Sequence, residues 1–211
     1  MPVILDNKQC KLPSHLTSEG TIGDYLKWAR TLLPAGRIIV QISLDDRVLE
    51  GPTLSHVRRD ALGQGTLKLL SASQKELSLT MLGKLAALIQ WLAPQHREVA
   101  AMFEAGNIKT ALERLTGIVS AWQQIQSAYG NLAKMICLSL ADLPVNELSG
   151  ETVLNEFCRQ LEEIQTALQN NDFVLLADIL QYEMDGAVAN WMALLESTLG
   201  IVDPAAAEAA A

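Results

Sequence analysis

At about Glu76 the spacing of apolar residues changes from every second position to every third or fourth, and the new period holds to Leu195. A period of two belongs to half-buried strands and a period near 3.6 to amphipathic helices, so sheet must come first and helices after it. At 211 residues, either part can bury a core without metals or disulfides. Hydrophobic residues make up 49% and charged residues 19%, a balance that excludes wholesale disorder.

Charge divides unevenly across the change of period. Residues 1–72 carry nine Lys/Arg and seven Asp/Glu, leaving seven and seventeen, a net −10, for the remainder. An acidic helical half is a poor binder of nucleic acid, because phosphate neutralisation needs clustered cations. Arg58-Arg59, with Arg47, is the only dense basic spot, and it reads as a small solvated cluster. Cys10, Cys137 and Cys158 are far apart and lack C-x-x-C spacing, which suggests neither disulfide framework nor zinc site. The apolar neighbours of Cys137 and Cys158 predict small core residues. The N-terminus has no basic leader, and the apolar runs, such as Leu85 to Leu92, fall short of a membrane span, so a cytoplasmic location is expected.

In the first part, Val3 to Leu5 predicts a strand, Asp6-Asn7-Lys8 a turn, and Gln9 to Leu12 its hairpin partner. Thr21 suits the N-cap of a helix to about Leu33, with Ile22, Tyr25, Leu26, Ala29 and Leu33 on one face, ended by Pro34 and Gly36. Residues 37–44 alternate, which places Ile38, Val40, Ile42 and Leu44 together on one face. Asp45-Asp46 turns into Arg47 to Leu49. Gly51-Pro52 and Gly63-Gln64-Gly65 then bracket a loop with a short helical turn before a last strand, Thr66 to Leu70.

The stretches Thr21-Ile22-Gly23-Asp24, Asp45-Asp46-Arg47-Val48-Leu49-Glu50, Thr53-Leu54-Ser55 and Gly65-Thr66-Leu67-Lys68-Leu69 succeed one another as in ubiquitin-like domains. The first third of the chain therefore resembles that family, and the resemblance implies a β-grasp fold. It does not imply conjugation, because no diglycine ends the last strand and 139 residues lie beyond residue 72. Ser43 stands where the recognition surface of ubiquitin has its central isoleucine, so that surface does not carry over either. A docking module remains the implied use.

The helical part reads as an antiparallel four-helix bundle over residues 77–200, after a linker at 73–76 and before an Ala-rich tail at 201–211. Pro94 is expected to kink or break the first helix. Ala105-Gly106-Asn107 ends it, and Ile108 to Leu140 carries the longest seam. A loop containing Pro144 and the segment from Asn146 to Gly150 precedes the third helix. Asn170-Asn171-Asp172 joins the third to the fourth, which Asp172 can cap. The segment from Asp172 to Glu183 is apolar around more of its circumference than one seam requires, implying a second contact with the first domain or with a partner.

No catalytic, cofactor-binding or metal-binding residue is expected. The bundle lacks the Glu-x-x-His pairs of a di-metal site, and neither a nucleophile elbow nor a phosphate loop occurs. His96, beside Pro94, reads as a solvated loop histidine, and Trp91, Trp122 and Trp191 read as core or its margin. Asp178, Tyr182 and Asp185 are expected on one face of the last helix, where they would meet a protein partner. The expectation is a non-enzymatic, bacterial-type adaptor. A faint resemblance to flagellin export chaperones, through Gly106-Asn107-Ile108 and the Asp- and Leu-rich last helix, implies export chaperoning as an alternative. Self-association of exposed seam residues is a further one.

Overall fold

The computed structural model describes residues 2–13, 16, 20–49, 53, 54, 57, 59, 60 and 65–205. Arg58, most of the segment 50–64 with its Gly63-Gln64, and the tail from residue 206 lie outside the described residues. The chain is mixed α+β and forms two compact units, residues 1–77 and 78–211.

The first unit is a five-stranded sheet with a helix on one face. Its strands are β1 (Val3–Leu5), β2 (Lys8–Gln9), β3 (Arg37–Leu44), β4 (Arg47–Val48) and β5 (Leu67–Ser73), in the order β2-β1-β5-β3-β4. β1 and β5 run parallel in the middle, and the other pairs are antiparallel. Both hairpins turn on two residues of positive φ, Asp6-Asn7 and Asp45-Asp46, because such turns match the twist of the flanking strands. Helix α1 (Ile22–Thr31) starts at Thr21 with a reciprocal capping box to Asp24. It buries Ile22, Tyr25, Leu26 and Ala29 against Val3, Leu5, Leu67 and Leu69.

Strand β3 does not keep the single alternation expected of it. Its register with β5 shifts between Ile39 and Gln41, so one extra residue, Val40, reverses which side chains face α1. Ile39, Ile42 and Leu44 pack on the core, while Ile38 and Val40 are 53% and 43% exposed.

No linker separates sheet from helix, because β5 runs to Ser73 and α2 (Gln74–Glu104) begins at the next residue. Ser73 and Glu76 bond each other reciprocally, Glu76 N to Ser73 Oγ at 3.2 Å and Ser73 N to Glu76 Oε2 at 2.7 Å. This S-x-x-E capping box starts α2 where the sequence analysis expected a linker. Arg37 ties it to the sheet through Glu76 (3.0 Å) and the Ser71 oxygen (2.7 Å). Ser71 also donates from its backbone N–H and its hydroxyl to Asp6, which lowers the Asp6 pKa.

The second unit contains the rest of α2, then α3 (Ile108–Met135), a two-residue hairpin of β6 (Pro144–Val145) and β7 (Leu148–Ser149), and α4 (Gly150–Gln169). The last helical stretch is α5 (Phe173–Asp178), a π turn (Ile179–Glu183) and α6 (Met184–Val202). Pro94 does not break α2. It lies exposed, as does Gln90, so the carbonyl that loses its partner faces water. By length and composition α2 is also the one helix among the described residues that could cross a membrane; it buries a stripe from Leu82 to Phe103 and leaves most of its apolar window exposed.

Three helices end in the same way. After α2, α3 and α4 a residue of positive φ, respectively Gly106, Cys137 and Asn171, allows paired bonds back into the last turn. After α3 these run from Leu138 N to Ala133 O (2.8 Å) and from Cys137 N to Lys134 O (3.2 Å), a complete Schellman motif. This turn ends α3 short of the expected Leu140. It also turns Cys137 outward, and Cys158 too is exposed, so neither cysteine is the core residue expected. Flanking apolar residues misled there, because in a helix phase rather than adjacency decides burial.

Glycine adopts the left-handed conformation without the penalty a Cβ imposes. Cys137→Gly is therefore expected to stabilise the chain by about 1 kcal/mol in urea denaturation.

Candidate functional site

The helical unit closes on an aromatic group centred on Trp122 of α3. Its ring lies nearly parallel to that of His96 of α2, with centroids 6.0 Å apart, and packs against Phe157 of α4 (4.6 Å) and Trp191 of α6 (5.9 Å). Trp122 Nε1 donates to His96 Nε2 at 2.9 Å, so the neutral imidazole carries its proton on Nδ1. Tyr129 meets Trp191 edge-on, and its hydroxyl donates to Thr198, which is itself donating to Leu194 O. His96 Nδ1 and Trp191 Nε1 are buried without a partner.

His96 is thus a buried helical residue, not the solvated loop residue expected from Pro94. Burial lowers its pKa to about 4, against the smaller upward pull of the Ala93 carbonyl and the Asp185 charge. The Ala93 carbonyl exerts that pull without hydrogen-bonding geometry to Nδ1. Neutral imidazole at physiological pH is what a general base requires, yet the ring is 0% exposed and its accepting nitrogen is already taken. The arrangement does the work of a core.

Of the expected surface residues, Asp178 and Tyr182 are exposed and Asp185 is not equivalent to them. Asp185 is half-buried and ion-paired with Arg97 of α2. The intervening π turn explains the difference. One additional residue in a turn rotates every later side chain by roughly 100° about the helix axis. Val174, Asp178 and Tyr182 form an exposed stripe, with Val174 75% and Tyr182 70% exposed. The apolar excess of this helix is therefore on the surface, and nothing in the sequence marked the π turn. Trp91 is likewise 60% exposed, whereas Trp122 and Trp191 lie in the core.

The first unit has an apolar surface that sequence reading missed. On the sheet face away from α1 stand Ile38, Val48 and Leu70, each exposed by more than a third, with the bulged Val40 beside them. A bulge in β3 was the only signal that could have found it, and Val40 gives no sign of one. Ser43 is buried in this region. No group of three or more His, Cys, Asp or Glu side chains placed to hold a metal occurs among the described residues.

A family model described as a domain of unknown function, DUF8042, matches residues 72–194, more than half of the chain. No curated protein and no solved structure matches.

His96 generates a pH dependence of definite sign. Its folded pKa lies below the unfolded value near 6.5, so the unfolded chain binds the extra proton first. Stability is full above pH 6.5 and falls as the pH drops toward about 4, by about 3 kcal/mol in all. His96→Gln keeps an acceptor for Trp122 but cannot titrate. Urea midpoints between pH 7 and pH 4.5 should fall for the natural chain and stay nearly level for this variant.

Proposed function

The chain belongs to the family of DUF8042, a domain of unknown function, and from its surfaces we propose that it is a non-enzymatic adaptor that docks a protein on each unit. The observation that carries this is that each compact unit has an apolar face of its own in water. The sheet has Ile38, Val40, Val48 and Leu70, and the last helix has Val174, Leu175 and Tyr182. Contiguous exposed apolar side chains characterise interaction surfaces. An adaptor needs two of them.

The first unit is read here as a β-grasp module. The strand order and the placement of α1 between β2 and β3 support that reading. The second unit is read as a four-helix bundle in which α5, the π turn and α6 count as one interrupted helix. Its docking face combines Val174 and Tyr182 with Asp178, in an acidic half of the chain, which suits a partner segment bearing apolar and basic side chains. The closed surroundings of His96 support a structural role for this histidine.

Photo-crosslinking from positions 38 and 174 in the native host should identify partners, whose affinities are then measured with purified proteins. Val174→Asp with Tyr182→Ala is expected to weaken one partner roughly tenfold or more, and Ile38→Asp with Leu70→Asp the other. Unchanged affinities for both pairs of substitutions, with the fold intact by circular dichroism, would reject the adaptor reading.

A further inference from the structure

The exposed side of α3 has a symmetry that its sequence does not advertise. From Thr116 to Asn131 the exposed residues are Thr116, Gly117, Ser120, Gln123, Gln124, Ser127 and Asn131, all uncharged, along about 22 Å of helix. A shallow open groove runs beside Ser120, Gln124 and Ser127. Glu113 bounds this stretch at one end and Lys134 at the other. Among the described residues, neither makes an ion pair.

About the midpoint between Gln123 and Gln124 the residues of this face pair as identical, both polar, or oppositely charged. Counting outward, Gln123 matches Gln124, Ser120 matches Ser127, Gly117 matches Gly130, Thr116 matches Asn131, and Glu113 matches Lys134. Laid antiparallel against a second copy about that point, each position meets its match. The spacing from Glu113 through Ser120 and Ser127 to Lys134 is seven residues, the period that keeps a helix seam facing its partner.

We propose that two copies of the chain pair through this face of α3, antiparallel, about a two-fold axis passing between Gln123 and Gln124. Three physical features carry it. Amides and hydroxyls both donate and accept, so they satisfy their own copies across a two-fold axis, whereas a carboxylate repels its own copy. In a half of the chain with net charge −10, this is where copies can approach without repulsion, and at each end Glu113 of one copy faces Lys134 of the other.

The third feature is glycine. A Cβ would meet nothing within 4 Å at Gly83, Gly117, Gly130 or Gly186, so the chain itself gives no packing reason for glycine there. Interior helical glycine costs about 1 kcal/mol relative to alanine. Gly117 and Gly130 fall on matched positions at opposite flanks of this face, where neither sets a Cβ at the edge of the seam.

Sedimentation equilibrium of the full chain tests the pairing. The natural chain is expected to form a dimer whose population rises with concentration. Glu113→Lys alone, and Lys134→Glu alone, should each weaken dimerisation roughly tenfold or more, since each brings like charges together at both ends. An equimolar mixture of the two variants should regain the natural affinity as a heterodimer, because opposite charges then meet at both ends. If either variant loses its helical circular dichroism, Gln123→Glu with Gln124→Glu replaces it and should abolish the dimer by gathering carboxylates at the axis. A natural chain that stays monomeric at about 1 mM overturns the proposal. So does a dimer indifferent to these substitutions, or a mixture no tighter than its components.

Discussion

Trp122 donates an indole N–H hydrogen bond to His96 inside the helical unit, and keeping both groups out of water constrains everything packed around them. The bond joins α2 to α3, while the same indole packs against Phe157 from α4 and Trp191 from α6. A buried donor without its acceptor costs about 1–3 kcal/mol, and removing a buried Trp side chain costs about 3–5. Single changes at this point are therefore large beside the whole stability of a domain this size. Trp191 Nε1 is itself such an unpartnered donor, in a ring that also contacts Tyr129 and Phe157.

The interior of the helical unit is closed around the Trp122 ring. Aromatic bulk fills the centre of the helical unit, and the hydrogen-bonding capacity of His96 Nε2 is spent on Trp122. The features left over lie outside: an apolar stripe on the last helical stretch, an apolar sheet face produced by one bulge, and an uncharged face on α3. Each is built on a regular element, which holds its side chains at fixed spacing.

Much of this was legible wherever physics is local. Thr21 with Asp24, Asp172, and the Gly106 stop each announce a helix end through groups three to five residues apart. The apolar period identified Leu115, Trp122, Ile125, Tyr129 and Leu132 as core. Errors arose where one residue changes the phase of those after it, as Val40 does in β3 and the π turn does before Asp185. Neither insertion has a side chain that requires it. Pro94 misled in the opposite direction, since its usual cost is softened where the orphaned carbonyl is solvated. His96, two residues on, consequently lies in the core, at a position whose helical phase was correct all along for Leu92 and Val99.

Nitrogen-15 NMR of labelled His96 and of the Trp122 indole, tracked from pH 7.5 to pH 5, tests the buried pair most directly. The expected result is a single neutral tautomer with the proton on Nδ1 throughout that range, and an indole N–H that exchanges with solvent only through unfolding of the helical unit. A His96 ring that titrates near pH 6.5, with rapid exchange at the Trp122 indole, would mean an open, solvated interior and would contradict the account.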